Sequence, residues 1–492
     1  MGRIKKITLP LFFIIFFAAA FIFLSSHFMG SHFEPETDLA NSSLLNNQST
    51  NVKPVEQEKP KIVSDKGADS TGLTEEEKQR LANEPVGNLE DGTRSVIVKL
   101  RDINANDLRE ANPGIDDEAV LQTLGIKAFG AGSLGAESGS TPDINSYYKN
   151  AISKKADKLI AEIEHLGGDA KLDKKLKVSP IVFFHVNAKG LEDLKRSALV
   201  ESVENNHMIF ATATEVPLSP DPIAVMGGNS ANGFSFAGQN FNGSNYAVAV
   251  LDTGVDRLHE KLQGKVIGEA CFSYYQRSTY NSLCPGSTKT TTGVDEKHGT
   301  GSAQPCTLND LCAHGSHVAS DAALSYQPIY NSAHTGEGTT YSDKNYYSNT
   351  INGWISGGAR DASVFAVQVF SMKANQSDVT SVNSAWLAAV DWIVENADNR
   401  SEIPVPISAI NLSLGSGGNS VQNCYTTSSS YRAIFKIAKA NDIAVFIANG
   451  NAWDSQKNNV ATPSCTIGAV SVAASNNSGT AISSYSQNSK AT

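Results

Sequence analysis

The chain predicts an α/β fold, a parallel sheet with helices on both faces, preceded by a small α+β unit. Three observations carry this. Beyond residue 222, nearly continuous apolar runs recur at Tyr246–Leu251, Ser363–Val369, Ile407–Leu412, Ile443–Ala448 and Ile467–Ala473, as in strands buried on both faces. Segments with helical character lie between them, at 314–325, 381–396 and 430–440. Strands alternating with helices imply a parallel sheet covered on both sides. Residues 94–212 have a different rhythm, with shorter runs spaced as in a ferredoxin-like unit.

The N-terminus carries Arg3, Lys5 and Lys6 ahead of an uncharged apolar run from Ile7 to Leu24. That run is longer than the usual signal core of about 7–15 residues and close to the shortest spanning helix. Residues 1–29 therefore read as a signal peptide or a signal anchor. The basic flank places the rest of the chain outside the cytoplasm, secreted or held in the periplasm or at the cell surface. No Cys stands after the run as a lipid attachment point. Residues 30–93 are poor in apolar side chains and rich in Ser, Asn, Lys, Glu and Pro, the composition of a disordered linker.

Ser95–Leu100 reads as the first strand of the small unit. Over 145–166, Ile152, Ala156, Leu159, Ile160, Ile163 and Leu166 share one helical face, and Gly167-Gly168 supplies the stop. Pro180–Val186 reads as a strand, Gly190–Leu199 as a helix and Val203–Ala211 as a single strand. A boundary at 213–222 is marked by Pro217, Pro220 and Pro222. The lysines around Lys154–Lys158 and Lys171–Lys177 read as solvated faces.

A net charge of -10 offers no electrostatic footprint for nucleic acid. Six cysteines, Cys271, Cys284, Cys306, Cys312, Cys424 and Cys465, agree with an oxidising compartment. Short loop closure favours Cys271–Cys284 and Cys306–Cys312, leaving Cys424–Cys465. The alternative, a zinc site from Cys306, Cys312, His314 and His317, has spacing that fits no common zinc pattern.

Ligands and catalysis in open parallel sheets sit at the carboxyl ends of strands. Asp252 closes the run Val248-Ala249-Val250-Leu251, which gives its carboxylate a rigid, partly buried seat. His314 opens an apolar helix in His314-Gly315-Ser316-His317-Val318-Ala319. A buried Asp that fixes the tautomer of such a His makes it a general base. His298-Gly299-Thr300-Gly301 is a lookalike with no apolar helix behind it. Ile410-Asn411-Leu412-Ser413-Leu414-Gly415 is a strand running into glycine, and Ile443–Ala448 ends in Asn449-Gly450-Asn451. Each of these, taken alone, also reads as an ordinary turn after a strand.

In this order the motifs resemble the subtilisin-like (S8) serine peptidases over about 222–492. The resemblance implies that Asp252 orients the histidine, that His314 is the base and acid, and that Asn451 is the oxyanion donor. It implies that Ser413, Leu414 and Gly415 form an edge pairing with substrate backbone, and that Ala448, Asn449 and Gly450 line the pocket for the residue before the scissile bond. Residues 94–212 resemble the family's inhibitory propeptide, which assists folding and blocks the cleft. The four cysteines over 271–312 resemble a branch with a Cys-rich insertion before the histidine.

Polypeptides are then the substrates and the chain's own propeptide a partner. Membrane contact is limited to residues 7–24 if these are retained. No cofactor is required; calcium is possible as a structural ion, with no acidic cluster to assign it. Ser316 and Ser320 stand where the family usually has Thr and Gly, and Asn449 where a small apolar residue is usual. A Tyr-rich insertion, about 324–350, comes after the histidine helix. The nucleophile motif, Gly-Thr-Ser with small residues after it, occurs nowhere in the 492 residues. The expectation is a serine endopeptidase recorded as a fragment without its nucleophile and inactive in this form. The alternative is a non-catalytic peptide-binding protein.

Overall fold

A computed structural model describes residues 92–125, 144–167, 170–211, 234–236, 239–308, 310–330, 351–374, 378–419, 428–451, 460–476, 479–483 and 485–487. The expected signal or anchor, almost all of the expected linker, the boundary at 213–222 and Cys424 lie outside these residues.

The N-terminal unit runs β1 (Arg94–Leu100), α1 (Ala105–Ala111), α2 (Asp117–Thr123), α3 (Ser146–His165), β2 (Ala170–Lys175), β3 (Ile181–Val186), α4 (Ala188–Arg196) and β4 (Val200–Asn205). Its antiparallel sheet has the order β2-β3-β1-β4, the ferredoxin-like arrangement. Alternation along β1 and β3 explains why the middle of both strands is a continuous apolar run, Val96–Val98 and Ile181–Phe184. Val96, Val98, Val182, Phe184 and Val186 share a core with Ala156, Leu159 and Leu194 of α3 and α4. Ile97, Ile181 and Phe183, on the opposite face, belong to the large core of the C-terminal domain. Successive strand side chains point to opposite faces, so one strand serves two cores.

Val203–Ala211, expected as one strand, is two. The chain breaks after β4 at Asn206, and β5 (Met208–Ala211) joins a different sheet. The lysine clusters are also only partly solvated. Lys155 is buried, its Nζ donating to Asp107 Oδ2 at 2.9 Å and Asp102 O at 3.1 Å.

The C-terminal domain begins with the hairpin β6 (Phe234–Phe236) and β7 (Gln239–Phe241) and the strand β8 (Ala247–Asp252). Then come β9 (Val266–Tyr275), β10 (Tyr280–Ser282), β11 (Gly293–His298), α5 (His314–Ala323), the pair β12 (Gln327–Tyr330) and β13 (Ile351–Ile355), and β14 (Ser363–Gln368). The domain continues through β15 (Phe370–Lys373), β16 (Val379–Val382), α6 (Asn383–Glu395), β17 (Ile407–Leu412), β18 (Leu414–Asn419), α7 (Ser429–Ala440), β19 (Ala444–Ala448), β20 (Val460–Thr462) and β21 (Val470–Val472). The seven-stranded sheet has the order β11-β9-β14-β8-β17-β19-β21. It is parallel except at β11, which returns antiparallel on β9. The last apolar run is shorter as a strand than its sequence suggests. Ile467 is exposed, and only Val470–Val472 pairs.

Helices α6 and α7 lie in the core shared with the N-terminal unit. Neither has a side-chain cap of its own at its first turn. The N-terminal unit supplies both. Asn206 Oδ1 accepts from Ser384 N at 3.1 Å, and Glu204 Oε1 accepts from Ser430 N at 3.2 Å. In the other direction, the buried Asp391 of α6 accepts backbone N–H groups from Lys177 at 2.8 Å, Val178 at 3.2 Å and Ser179 at 2.9 Å. Capping bonds of this kind are worth about 1 kcal/mol each.

Candidate active site

The central strand β8 lies between β14 and β17. Its apolar residues are held on both faces, and Asp252 at its carboxyl end is fully buried. Oδ1 accepts from Thr253 N at 2.7 Å and from His314 Nδ1 at 2.6 Å. A carboxylate only accepts, so this bond puts the proton on Nδ1 and leaves Nε2 with its lone pair. Nε2 is buried and makes no hydrogen bond among the described residues. Burial acts to lower the imidazole pKa, but the Asp252 charge and hydrogen bond, aided by Asp321, outweigh it, and the net shift is upward.

The approach of α5 to β8 depends on Gly315. A Cβ there would stand 2.2 Å from Gly254 O and 3.1 Å from the Asp252 Cβ. Any larger residue would push the helix, and the histidine at its head, away from the carboxylate. Ser316 Oγ accepts from Asp256 N at 2.8 Å, which ties the same two turns together.

Three adjacent parallel strands, β8, β17 and β19, end beside one another. Asp252, Ser413 and the segment 449–451 therefore lie along one edge of the sheet. Leu414 and Gly415 of β18 pair antiparallel with Ala211 and Phe210 of β5. On its other side β5 pairs with Ser381 and Val382 of β16. The edge is thus one wall of a slot in a six-stranded sheet of order β10-β15-β16-β5-β18-β20, and the N-terminal unit's last strand fills that slot. Ser413 Oγ accepts from Asn411 Nδ2 at 2.9 Å.

Asn449 is buried and its side chain is engaged. Its Oδ1 accepts from Ser464 Oγ at 2.8 Å and from Ser471 Oγ. Gly450 has φ +104°, and a Cβ there would meet Gln487 Oε1 at 1.9 Å. Ala448 and Asn451 are half-buried at the end of β19.

The lookalike His298 is at the end of β11, 3.0 Å from Glu296 and stacked on Trp392 at 4.5 Å. Disulfides join Cys271 to Cys284 and Cys306 to Cys312. The second takes two of the four residues a zinc site would have needed, and His317 turns outward toward Asp321 at 3.8 Å. Cys465 is disulfide-bonded. Among the described residues no three His, Cys, Asp or Glu side chains gather as around a metal ion. No helix among them is long and apolar enough to cross a membrane.

Three contributors escaped the sequence reading. β16 forms the second wall of the slot, and its β-branched Val379, Thr380 and Val382 were the available signal. Gln368, a lone amide ending an apolar strand, donates to Thr253 O at 2.6 Å and accepts from Phe370 N at 2.8 Å, bracing the turn after Asp252. Thr253 hydrogen-bonds to the chain on both sides of His314.

Residues 243–492 match the model of the subtilase family, Peptidase_S8. The chain belongs to the subtilase family. Among solved structures it is similar to fervidolysin from Fervidobacterium pennivorans, a keratinolytic enzyme related to subtilisin. The two share 15% identity over 79% of this chain and 44% of that one, with a TM-score of 0.37. Sphericase is similar at 22% identity over 50% of this chain and 59% of that one, with a TM-score of 0.28. The epidermin leader peptide processing serine protease from Staphylococcus aureus is similar at 14% identity over 67% and 69%, with a TM-score of 0.37. The chain therefore spans about half the length of the first of these structures.

Proposed function

We propose that the protein is an exported subtilisin-like endopeptidase made as a zymogen, acting on polypeptides through an Asp-His-Ser triad. The observation that carries this reading is the 2.6 Å bond from His314 Nδ1 to Asp252, at the carboxyl end of the sheet, with Nε2 left to take a proton. In the reaction Nε2 removes the proton of a serine hydroxyl as it attacks the peptide carbonyl, then passes that proton to the leaving amine. Asp252 holds the ring and stabilises the imidazolium. Asn451 donates to the oxyanion, Ser413–Gly415 pair with the substrate backbone, and Ala448, Asn449 and Gly450 border the pocket before the scissile bond. No cofactor enters these steps; calcium, if bound, is structural.

Residues 94–212 act as the propeptide. β5 lies between β16 and β18 as an added strand, in the way an extended substrate would bind. Residues 1–29 direct export, and the mature protein works outside the cytoplasm. Nucleic acid has no part in this function.

A second reading, a non-catalytic protein that holds peptides on the 413–415 edge, rests on the pairing of that edge with the extended strand β5. Chain 1–492, whose own β5 occupies the edge, is expected to resist a fluorophosphonate probe, and to bind an extended peptide only once residues 94–212 are removed; labelling would show a nucleophile already present.

A further inference from the structure

The first turn of α5 begins at His314, yet its N-cap residue, Ala313, has no side chain that could hold a free N–H group. Ser, Thr, Asp and Asn usually serve there. Thr253 does so from 62 residues away. Its buried Oγ1 accepts from Gly315 N at 3.0 Å and donates to Cys312 O at 3.3 Å. One hydroxyl thus grips the chain on both sides of the histidine. Thr253 also stands directly after Asp252, so the carboxylate and the hydroxyl address the same helical turn. Cys312 is fixed in its turn by the disulfide to Cys306, which closes a short loop over a sequence separation of 6 and ends at the 3₁₀ turn Asp310–Ala313.

We propose that Thr253 and the Cys306–Cys312 disulfide are positioning elements for His314, together fixing the ring against Asp252. The proposal rests on the reading of His314 as the base. Neither element touches the reacting atoms. Without the hydroxyl, the Gly315 N–H and the Cys312 carbonyl lose a buried partner and the helix start is free to shift. Without the disulfide, the carbonyl that the hydroxyl grips is no longer held. A displacement of a few tenths of an ångström lengthens the Asp252–His314 bond and lets water reach it.

The test uses the full chain and needs no turnover. The Nδ1 proton shared with Asp252 is tracked as a low-field proton resonance, and the ring is titrated through ¹³C-labelled histidine. Asp252→Asn is expected to remove the resonance and sets the reference. Thr253→Val, similar in shape but without the hydroxyl, is expected to speed exchange of that proton with water at least tenfold and to move the ring's midpoint toward that of the Asn reference. Thr253→Ser is expected to restore both. The double variant Cys306→Ser, Cys312→Ser is expected to move both readouts in the same direction as Thr253→Val.

Exchange and midpoint unchanged in Thr253→Val or in the double cysteine variant, with the circular dichroism of the wild type, would overturn the proposal for that element. If Thr253→Val does not fold, Thr253→Ser against the double variant decides: wild-type behaviour in the first and loosening in the second support it, and wild-type behaviour in both overturns it. A wild-type chain with no low-field resonance would instead count against the Asp252–His314 pair itself.

Discussion

Asp252 and Asp391 are both carboxylates withdrawn from water, and both accept backbone N–H groups. Their surroundings separate their roles. Asp252 faces an imidazole from its own domain, and its charge and hydrogen bond raise the pKa of that ring against the effect of burial. Asp391 faces the Lys177–Ser179 segment of the N-terminal unit, whose backbone N–H groups it accepts. Burial pushes its carboxyl up to about 6 against the hydrogen bonds that act to lower it. The same chemical group meets a side chain that can carry a proton in one place, and backbone groups that cannot in the other.

The largest effect is expected at the first site. Asp252→Asn keeps the shape but removes the charge that stabilises the imidazolium, and should lower peptide turnover by a factor on the order of 10⁴ in the protein bearing its serine. Steady-state kinetics check this. A loss in KM alone would mean that Asp252 is only a turn residue. Next is Asp391→Ala, which strips the N–H groups of buried Val178 and Ser179, and the part-buried one of Lys177, of their acceptor. It should weaken docking of the N-terminal unit by about 3 kcal/mol, since each unsatisfied buried group costs about 1–3 kcal/mol. Hydrogen exchange at Lys177–Ser179 reports it, and unchanged protection would remove Asp391 from the seam.

The pH dependence of the seam has its origin in the same contrast. Asp391 and Asp173 are both pushed up by burial to about 6, from an ordinary value of 3.8. Asp173 accepts from Val294 N at 3.3 Å, across to the disulfide-closed hairpin. Because the docked pKa is the higher one, docking takes up protons. Its contribution is fully present below about pH 4 and is lost as pH rises through 6. Glu204, also raised by burial, has the same sign. Docking should therefore loosen between pH 5 and 7 by on the order of 1–2 kcal/mol per group. Proteolytic sensitivity of chain 1–492 across that range tests it. Tighter docking at pH 7 would contradict the sign.

The sequence made the inner parts of the domain legible and hid the seam. Asp252 and His314 stood out because local pattern places them, one ending an apolar strand and the other opening a helix. The central strands were readable for the same reason, burial on both faces. Thr253, Gln368 and Glu204 were not, because each acts on a residue remote in sequence that only the fold brings near. The break at Asn206 was hidden too. Val203–Ala211 carries no Gly or Pro to mark a break, and only the slot between β16 and β18 shows why its second half leaves the first sheet. Asn449 shows the limit of motif reading: a residue at the right position still bonds inward, to Ser464 and Ser471.

The smallest effect is expected at an ion pair on the rim of the seam. Lys174 of β2 pairs with Glu296 of β11 across the same seam as Asp391, but with side chains 25% and 29% exposed. Glu296 also holds His298 at 3.0 Å, so losing Lys174 leaves it partnered. Water and salt screen such a pair, and double-mutant cycles on exposed pairs give about 0.2–1 kcal/mol. Lys174→Ala should loosen the seam by less than about 1 kcal/mol, and added salt should erase the difference from wild type. Hydrogen exchange in β2 at low and high salt reads both. A salt-independent loss as large as that of Asp391→Ala would mean that the hairpin, rather than α6, carries the docking, and the contrast between a buried acceptor and an exposed ion pair would not hold for this seam.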